Sequence, residues 1–199
     1  MGKTIWIGEE TSLPVEFAGR RSCVFGVSGS GKSNTATVII EGLLRAGEQV
    51  IIVDPKGEAH GLLSNADGTP SGLPIIAFGP NGHIETLQEE YAVHLAEYAV
   101  KTGQSLILNL VAFDSDQAER RFVAAFLRRL YRLKSQGATS RTLVVLEEAH
   151  LFVPEAGRGD TADLSGAVQR IVRQGRSFGL GTLLVDQRPA DVAKKVVTQ

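Results

Sequence analysis

Apolar and polar positions along this chain change period repeatedly, and the changes mark the elements. Two short β-type runs, residues 4–7 and 15–17, flank a polar turn at 9–14 and read as a hairpin. An apolar run at 22–25 ends at Gly26 and passes into a glycine-rich turn that reaches Gly31. From 32 to 46 the period becomes helical, with Val38, Ile39, Leu43 and Ala46 on one side and Gly47 as the C-cap. Strands follow at 49–53, closed by Asp54-Pro55, at 74–78 and at 105–110. Helices are predicted at 84–102 and at 117–135, the latter with Ala118, Phe122, Phe126, Leu130 and Leu133 stepping at three and four. A buried strand at 142–146, a polar loop at 155–163, a helix at 164–176 and a last strand at 181–185 complete the series. Continuous apolar strands alternating with helices imply a mainly parallel α/β sheet covered on both faces.

Composition narrows the class. The chain has 199 residues, enough for one domain with a sizeable core, and its 43% hydrophobic and 22% charged residues are ordinary for a soluble protein. Lys+Arg of 21 against Asp+Glu of 22 gives a net charge of −1, so no global basic field would grip nucleic acid unaided. The single cysteine, Cys23, excludes an internal disulfide, and the four histidines are scattered, which argues against a His-based metal cluster. With no apolar run long enough to span a bilayer and no signal-like amino terminus, the expectation is a cytoplasmic protein without membrane contact.

The chemistry starts at Gly26–Ser33, GVSGSGKS, which matches the phosphate-binding pattern G-x-x-x-x-G-K-S between a predicted strand and a predicted helix. Glycines let backbone N–H groups turn inward around phosphate oxygens, and the following helix adds its positive dipole end. Ser28, Gly29, Ser30, Gly31, Lys32, Ser33 and Asn34 are therefore the expected ATP-binding residues. Lys32 supplies the full charge, and the Ser33 hydroxyl can ligate Mg2+.

Glu147 and Glu148 follow the buried strand at 142–146, on the edge where open α/β sheets bind ligands. Adjacent strand residues point in different directions, so Glu147 can hold the metal while Glu148 accepts a proton from attacking water. Such a base favours hydrolysis over a small P-loop kinase, where it would waste the nucleotide. Gln187 follows the last strand as Glu147 follows its own, and its amide can contact both γ-phosphate and water. On the helix at 164–176, Arg170, Arg173 and Arg176 recur every three residues on one face. Arg170 reads as solvated, whereas Arg173 and Arg176 are candidates to reach a γ-phosphate bound by a neighbouring subunit. Arg120, Arg121, Arg128, Arg129, Arg132 and Lys134 on the long helix read as a solvated basic face, with DNA contact the lesser reading.

In this order the motifs GVSGSGKS, IIVDPKGE, LVVLEEAH, RQGRSFGLGTLL and DQRP resemble the HerA branch of the HerA–FtsK superfamily of hexameric DNA-translocating ATPases, over most of residues 21–189. The resemblance implies a RecA-like (ASCE) P-loop NTPase that uses ATP and Mg2+, with the second glutamate of EEAH as base and arginines such as Arg173 or Arg176 acting across subunits. It also implies a homo-oligomeric, hexameric ring, DNA as substrate and a nuclease partner. DPKGE is equally similar to type IV coupling proteins, and Asp186 stands where the family often has Ser or Thr. The expected organisation is a β-hairpin extension at 1–20 and an ATPase domain at 21–199 that lacks the C-terminal part of the family's domain. The alternative functions are a nucleotide-gated assembly module without translocation and a DNA-transfer ATPase like the type IV coupling proteins.

Overall fold

The computed structural model describes residues 3–137, 140–154, 159–188, 190 and 192. Six strands form one wholly parallel sheet: β3 (Arg21–Phe25), β4 (Gln49–Asp54), β5 (Ile75–Phe78), β6 (Ser105–Asn109), β7 (Thr142–Glu147) and β8 (Leu180–Asp186). Their order is β3-β8-β7-β4-β6-β5, so β3 and β5 are its margins and β8 separates β3 from β7. Strand side chains alternate between two cores. On one face Ile51, Leu106, Val144 and Leu184 pack against α2 (Ala92–Thr102), α3 (Asp116–Ser135) and α4 (Asp160–Gln174). On the other, Ile52, Ile107, Val145 and Leu183 pack against α1 (Lys32–Ala46). The P-loop NTPase architecture expected from the sequence is thus present, with helices on both faces.

Helix α1 has the predicted bounds because both neighbours are glycines in the left-handed region, Gly31 at φ 84° and Gly47 at φ 86°. The amino-terminal hairpin forms differently. It pairs β1 (Thr4–Trp6) with β2 (Ser12–Pro14), while Val15–Gly19 winds into a 3₁₀ turn that buries Val15 and Ala18. Ile5 and Val15 belong to the α1-side core, so the hairpin is packed onto the main sheet's helix layer.

The helix predicted at 84–102 is only its second half. Ile84 instead pairs with the end of β5, donating to the Ala77 carbonyl at 3.1 Å and accepting from Gly79 N–H at 2.8 Å. Those groups are then unavailable to a helix, and α2 begins at Ala92 after a 3₁₀ turn. The final helix starts earlier than expected, at Asp160, and ends at Gln174, which leaves Arg176 in a 3₁₀ turn. Residues 155–158 of the predicted polar loop lie outside the described residues.

The basic face of α3 is largely neutralised. Arg120 pairs with Asp116 at 3.1 Å, Arg121 with Glu89 at 2.9 Å, Arg129 with Glu97 at 2.5 Å, and Arg128 with Asp163. Lys134 is not on that face at all. It is buried, its ammonium donates to the Ser140 carbonyl and hydroxyl, and burial pulls its pKa down to about 8. Among the described residues no helix is long and apolar enough to cross a membrane.

Gly181 in β8 lies under the 3₁₀ turn, where a Cβ would stand 2.3 Å from the Ala18 carbonyl oxygen and 2.6 Å from that of Arg20. Gly181→Val should therefore destabilise the fold by about 3 kcal/mol, read as a lowered urea midpoint. Gly166→Ala in α4, where a Cβ meets nothing within 4 Å, should instead stabilise by roughly 0.5–1 kcal/mol.

Candidate functional site

All six strands point the same way, so their carboxyl-end loops share one rim, where those after β3, β8, β7 and β4 surround the candidate site. The loop after β3 crosses from Gly26 to Gly31. Gly29 and Gly31 have φ 78° and 84°, and a Cβ on Gly26 would sit 2.3 Å from the Ser30 hydroxyl. The Gly26 N–H donates to the Asp186 carbonyl at 3.3 Å, tying the loop to β8. Helix α1 then opens with no acidic residue in its first turn, so its unpaired N–H groups and dipole are left for an anion.

This rim encloses a cavity of about 440 Å³, of the size a triphosphate needs. Ser28, Gly29, Gly31, Lys32, Ser33 and Asn34 line it from the loop side. Glu147, Glu148 and Gln187 face it from β7 and β8. Ser30 belongs to the loop but packs over Gly26 rather than lining the cavity.

Glu147 is the last residue of β7. Its carboxyl is raised to about 7, first by burial and then by the carboxylates of Asp54, Glu58 and Glu148, with Lys32 opposing. A half-buried carboxyl among three others, on the wall of the cavity that Ser33 also lines, is a donor set that suits a hydrated divalent cation. Glu148 leaves the strand in the left-handed region, φ 51° and ψ 54°, a conformation that costs a non-glycine residue about 1 kcal/mol or more. Its Oε1 accepts from Lys56 Nζ at 2.5 Å and, at 3.4 Å, from Gln187 Nε2.

Two wholly buried carboxylates hold these loops in place. Asp186 Oδ2 accepts from the His150 N–H at 2.7 Å and from His150 Nδ1 at 2.9 Å, and its Oδ1 accepts from the Arg188 N–H at 2.7 Å. The turn after Glu148 is thereby fastened to β8. Asp54 does the same for the loop after β4, its Oδ1 accepting from Lys56 N–H at 3.1 Å and Gly57 N–H at 2.8 Å, and its Oδ2 from Ala59 N–H at 2.8 Å. His150 is thus not isolated: it joins Glu148 and Asp186, with one potential ligand atom from each lying within 4.8 Å of the others. The cluster is already closed on itself by the Asp186–His150 hydrogen bonds.

Arg173 and Arg176 are not brought to this cavity. Helix α4 runs back from the carboxyl rim, so its last turn lies at the opposite, amino edge of the sheet, just before β8 starts at Leu180. Both are exposed, and among the described residues neither side chain makes a hydrogen bond or ion pair. Arg170 is absorbed locally, with its guanidinium 5.7 Å from the centre of the Tyr131 ring. Sequence reasoning missed the site roles of Lys56, Asp54 and Asp186. The only available signal was the polar run that ends each apolar strand, DPKGE and DQRP.

Residues 8–86 match the family model described as "Helicase HerA, central domain". The chain is 30% identical over 107 residues to the DNA double-strand break repair helicase HerA of Sulfurisphaera tokodaii, a match covering 50% of this chain and 21% of that protein. It is 40% identical over 57 residues to the HerA helicase of Pyrococcus furiosus, covering 29% of this chain and 10% of that one. The chain therefore spans about a fifth or less of these relatives. Among solved structures, VirB4 of Thermoanaerobacter pseudethanolicus superposes with a TM-score of 0.61 at 15% identity, over 100% of this chain and 81% of that one. The genome packaging NTPase B204 of Sulfolobus turreted icosahedral virus 2, in complex with AMPPCP, gives 0.56 at 18% identity, over 91% and 71%. At such identities the likeness is one of fold.

Asp186→Ala would leave three donors at the rim without their acceptor. It should cost about 3 kcal/mol of stability, because each buried donor stranded in this way costs roughly 1–3 kcal/mol. Urea denaturation beside the parent checks the value, and an unchanged midpoint would show that the β7–β8 fastening is dispensable.

Proposed function

We propose that the chain is a HerA-like ATPase of the HerA–FtsK superfamily, the Mg2+-dependent ATP-hydrolysing core of a motor that works as a ring on DNA, a reading supported by its likeness to the HerA central domain and to HerA helicases. The observation that carries this reading is the meeting of Lys32, Ser33, Glu147, Glu148 and Gln187 around one cavity, although they come from three separate parts of the chain.

The glycine loop and the first turn of α1 bind the outer phosphates of ATP through backbone N–H groups, and Lys32 neutralises them. Ser33 and Glu147 would hold Mg2+, which supplies charge neutralisation across the transferring phosphoryl group. Glu148 takes the proton of the attacking water, and Gln187 orients that water from the end of β8. The left-handed turn at Glu148 sends its carboxylate along a different course from that of Glu147, so the two acids serve two tasks. The rigid Asp54 and Asp186 fastenings keep the groups in register, which is where most phosphoryl-transfer catalysis comes from.

Arg173 and Arg176 complete the picture only between subunits. They lie at the edge of the sheet away from their own chain's cavity, so any γ-phosphate they reach belongs to a neighbouring copy. Isologous pairing would not repeat this contact round a ring, whereas a head-to-tail arrangement does. A nucleotide-gated assembly module remains the second reading. It is favoured by the intramolecular pairing of Arg120, Arg121, Arg128 and Arg129, which withdraws the most basic helix from DNA contact. Stimulation of ATP hydrolysis by double-stranded DNA separates the two: the motor shows it, and the assembly module shows only a nucleotide-dependent change of mass.

Lys32→Ala should lose both ATP binding and hydrolysis while melting near the parent temperature; undiminished ATP affinity would sink the phosphate-loop assignment. Glu148→Gln should keep ATP binding and lose at least about 10²-fold in turnover, the usual contribution of a general base. Arg173→Ala or Arg176→Ala should also lose most turnover with ATP affinity nearly unchanged. Mixing either arginine variant with Glu148→Gln should recover activity, since a mixed ring regains some intact shared sites. If neither arginine variant loses turnover, or if dilution to monomer leaves specific activity constant, action across subunits is excluded.

A further inference from the structure

The strongest feature of the rim not used by this mechanism is the contact between Lys56 and Glu148. Lys56 Nζ lies 2.5 Å from Glu148 Oε1 and shares the cavity with Lys32. Gln187 Nε2 approaches the same oxygen at 3.4 Å, so Oε1 is committed to two donors. On the other side, Oε2 is 3.6 Å from His150 Nδ1, whose hydrogen is directed to Asp186. Held in this way, Oε1 has its lone pairs occupied, so it is not open to an attacking water until the lysine moves away.

The two partners differ in freedom. The Glu148 side chain is 11% exposed and its backbone is pinned by the turn that Asp186 fastens. The Lys56 side chain is 44% exposed and carries its ammonium on a four-carbon stem, although its backbone is fixed by Asp54. The residue after it, Gly57, is locked at φ 72° with Asn109 close by, where a Cβ would meet Nδ2 at 3.1 Å. The loop therefore presents a mobile ammonium from a rigid base. Its charge is secure, since the bond to Glu148, and beyond it the charges of Glu148, Glu58 and Glu147, favour the protonated form.

We propose that Lys56 is the residue that distinguishes a nucleoside triphosphate from a diphosphate: it pairs with Glu148 and transfers to the γ-phosphate when one is bound, which frees Glu148 to act as base. The proposal rests on the ATPase reading above. The ammonium end of the pair is open to solvent, which weakens the pair, so a terminal phosphate carrying up to two negative charges competes for it on favourable terms. A diphosphate ends short of that position and leaves the Lys56–Glu148 pair intact. The nearby Glu58 carboxylate, also on the cavity wall, opposes an uncompensated phosphate there, which makes the ammonium more necessary.

The test is equilibrium binding of Mg·ADP and Mg·ATPγS to the parent, Lys56→Gln, Glu148→Gln and the double variant. Lys56→Gln should bind ADP within about twofold of the parent and ATPγS about tenfold more weakly, the loss of one charge-assisted contact. Lys56→Arg, which keeps the charge, should restore part of the preference. Glu148→Gln releases the lysine and should bind ATPγS more tightly, and that gain should vanish in the double variant. An equal gain in the double variant would mean that charge removal alone explains it, and the transfer would be refuted. Equal weakening of both nucleotides by Lys56→Gln, or of neither, would refute it too. A parent protein that binds neither nucleotide overturns the ATPase reading and this inference together. A parent that hydrolyses ATP while Lys56→Gln binds both nucleotides normally overturns this inference alone.

Discussion

Because every strand of the main sheet runs in one direction, every loop leaving a carboxyl end arrives at the same rim, and this geometry governs the rest of the molecule. A parallel strand needs its backbone groups paired on both sides and its faces covered, which forces the helices onto both faces and exiles polar side chains to the ends. The order β3-β8-β7-β4 then decides which ends are neighbours. It puts β8 between the glycine loop and the two glutamates, so Gln187 stands between the glycine loop and Glu148. It also seats the loop after β4 beside the loop after β7, which is the sole reason that residues 92 positions apart, Lys56 and Glu148, are in contact.

Local signals carried much of this arrangement into the sequence. Gly31 and Gly47 bracket α1 because the left-handed region belongs to glycine, and the P-loop pattern requires no tertiary information to recognise. The same is true of the glutamates after an unbroken apolar strand. Periodicity failed where long-range pairing competes with it. Ile84 looks like the first residue of a helical face but spends its backbone on β5. Lys134 follows the charged rhythm of α3, yet a serine after the helix captures it in the interior. The fastening carboxylates, Asp54 and Asp186, were illegible for a related reason. An aspartate after a strand is ordinary in a loop, and only burial together with three bonded N–H groups each distinguishes these two.

The left-handed turn at Glu148 shows why such fastenings are needed. An unsupported glutamate would relax toward the extended or helical region, carrying its carboxylate with it. Asp186 prevents this from a different strand by gripping both backbone and ring of His150 two residues on. The strain is local, its support is remote, and the sheet joins them. A serine or threonine at position 186 would have a shorter reach and no full charge, so the ionic grip on the turn depends on the aspartate here.

The position of β3 at the margin of the sheet has a dynamic consequence. This strand is the stem of the glycine loop, and among the described residues it pairs on one side only, with β8, through residues of which three are half-buried and two exposed. Openings of a sheet begin at such margins, where fewer bonds must break. The glycine loop therefore hangs from a margin that can fray, and an anion seated against α1 would add bonds to that segment. Occupancy and order at the stem would rise together, so the loop's amides would report whether the cavity beside them is filled.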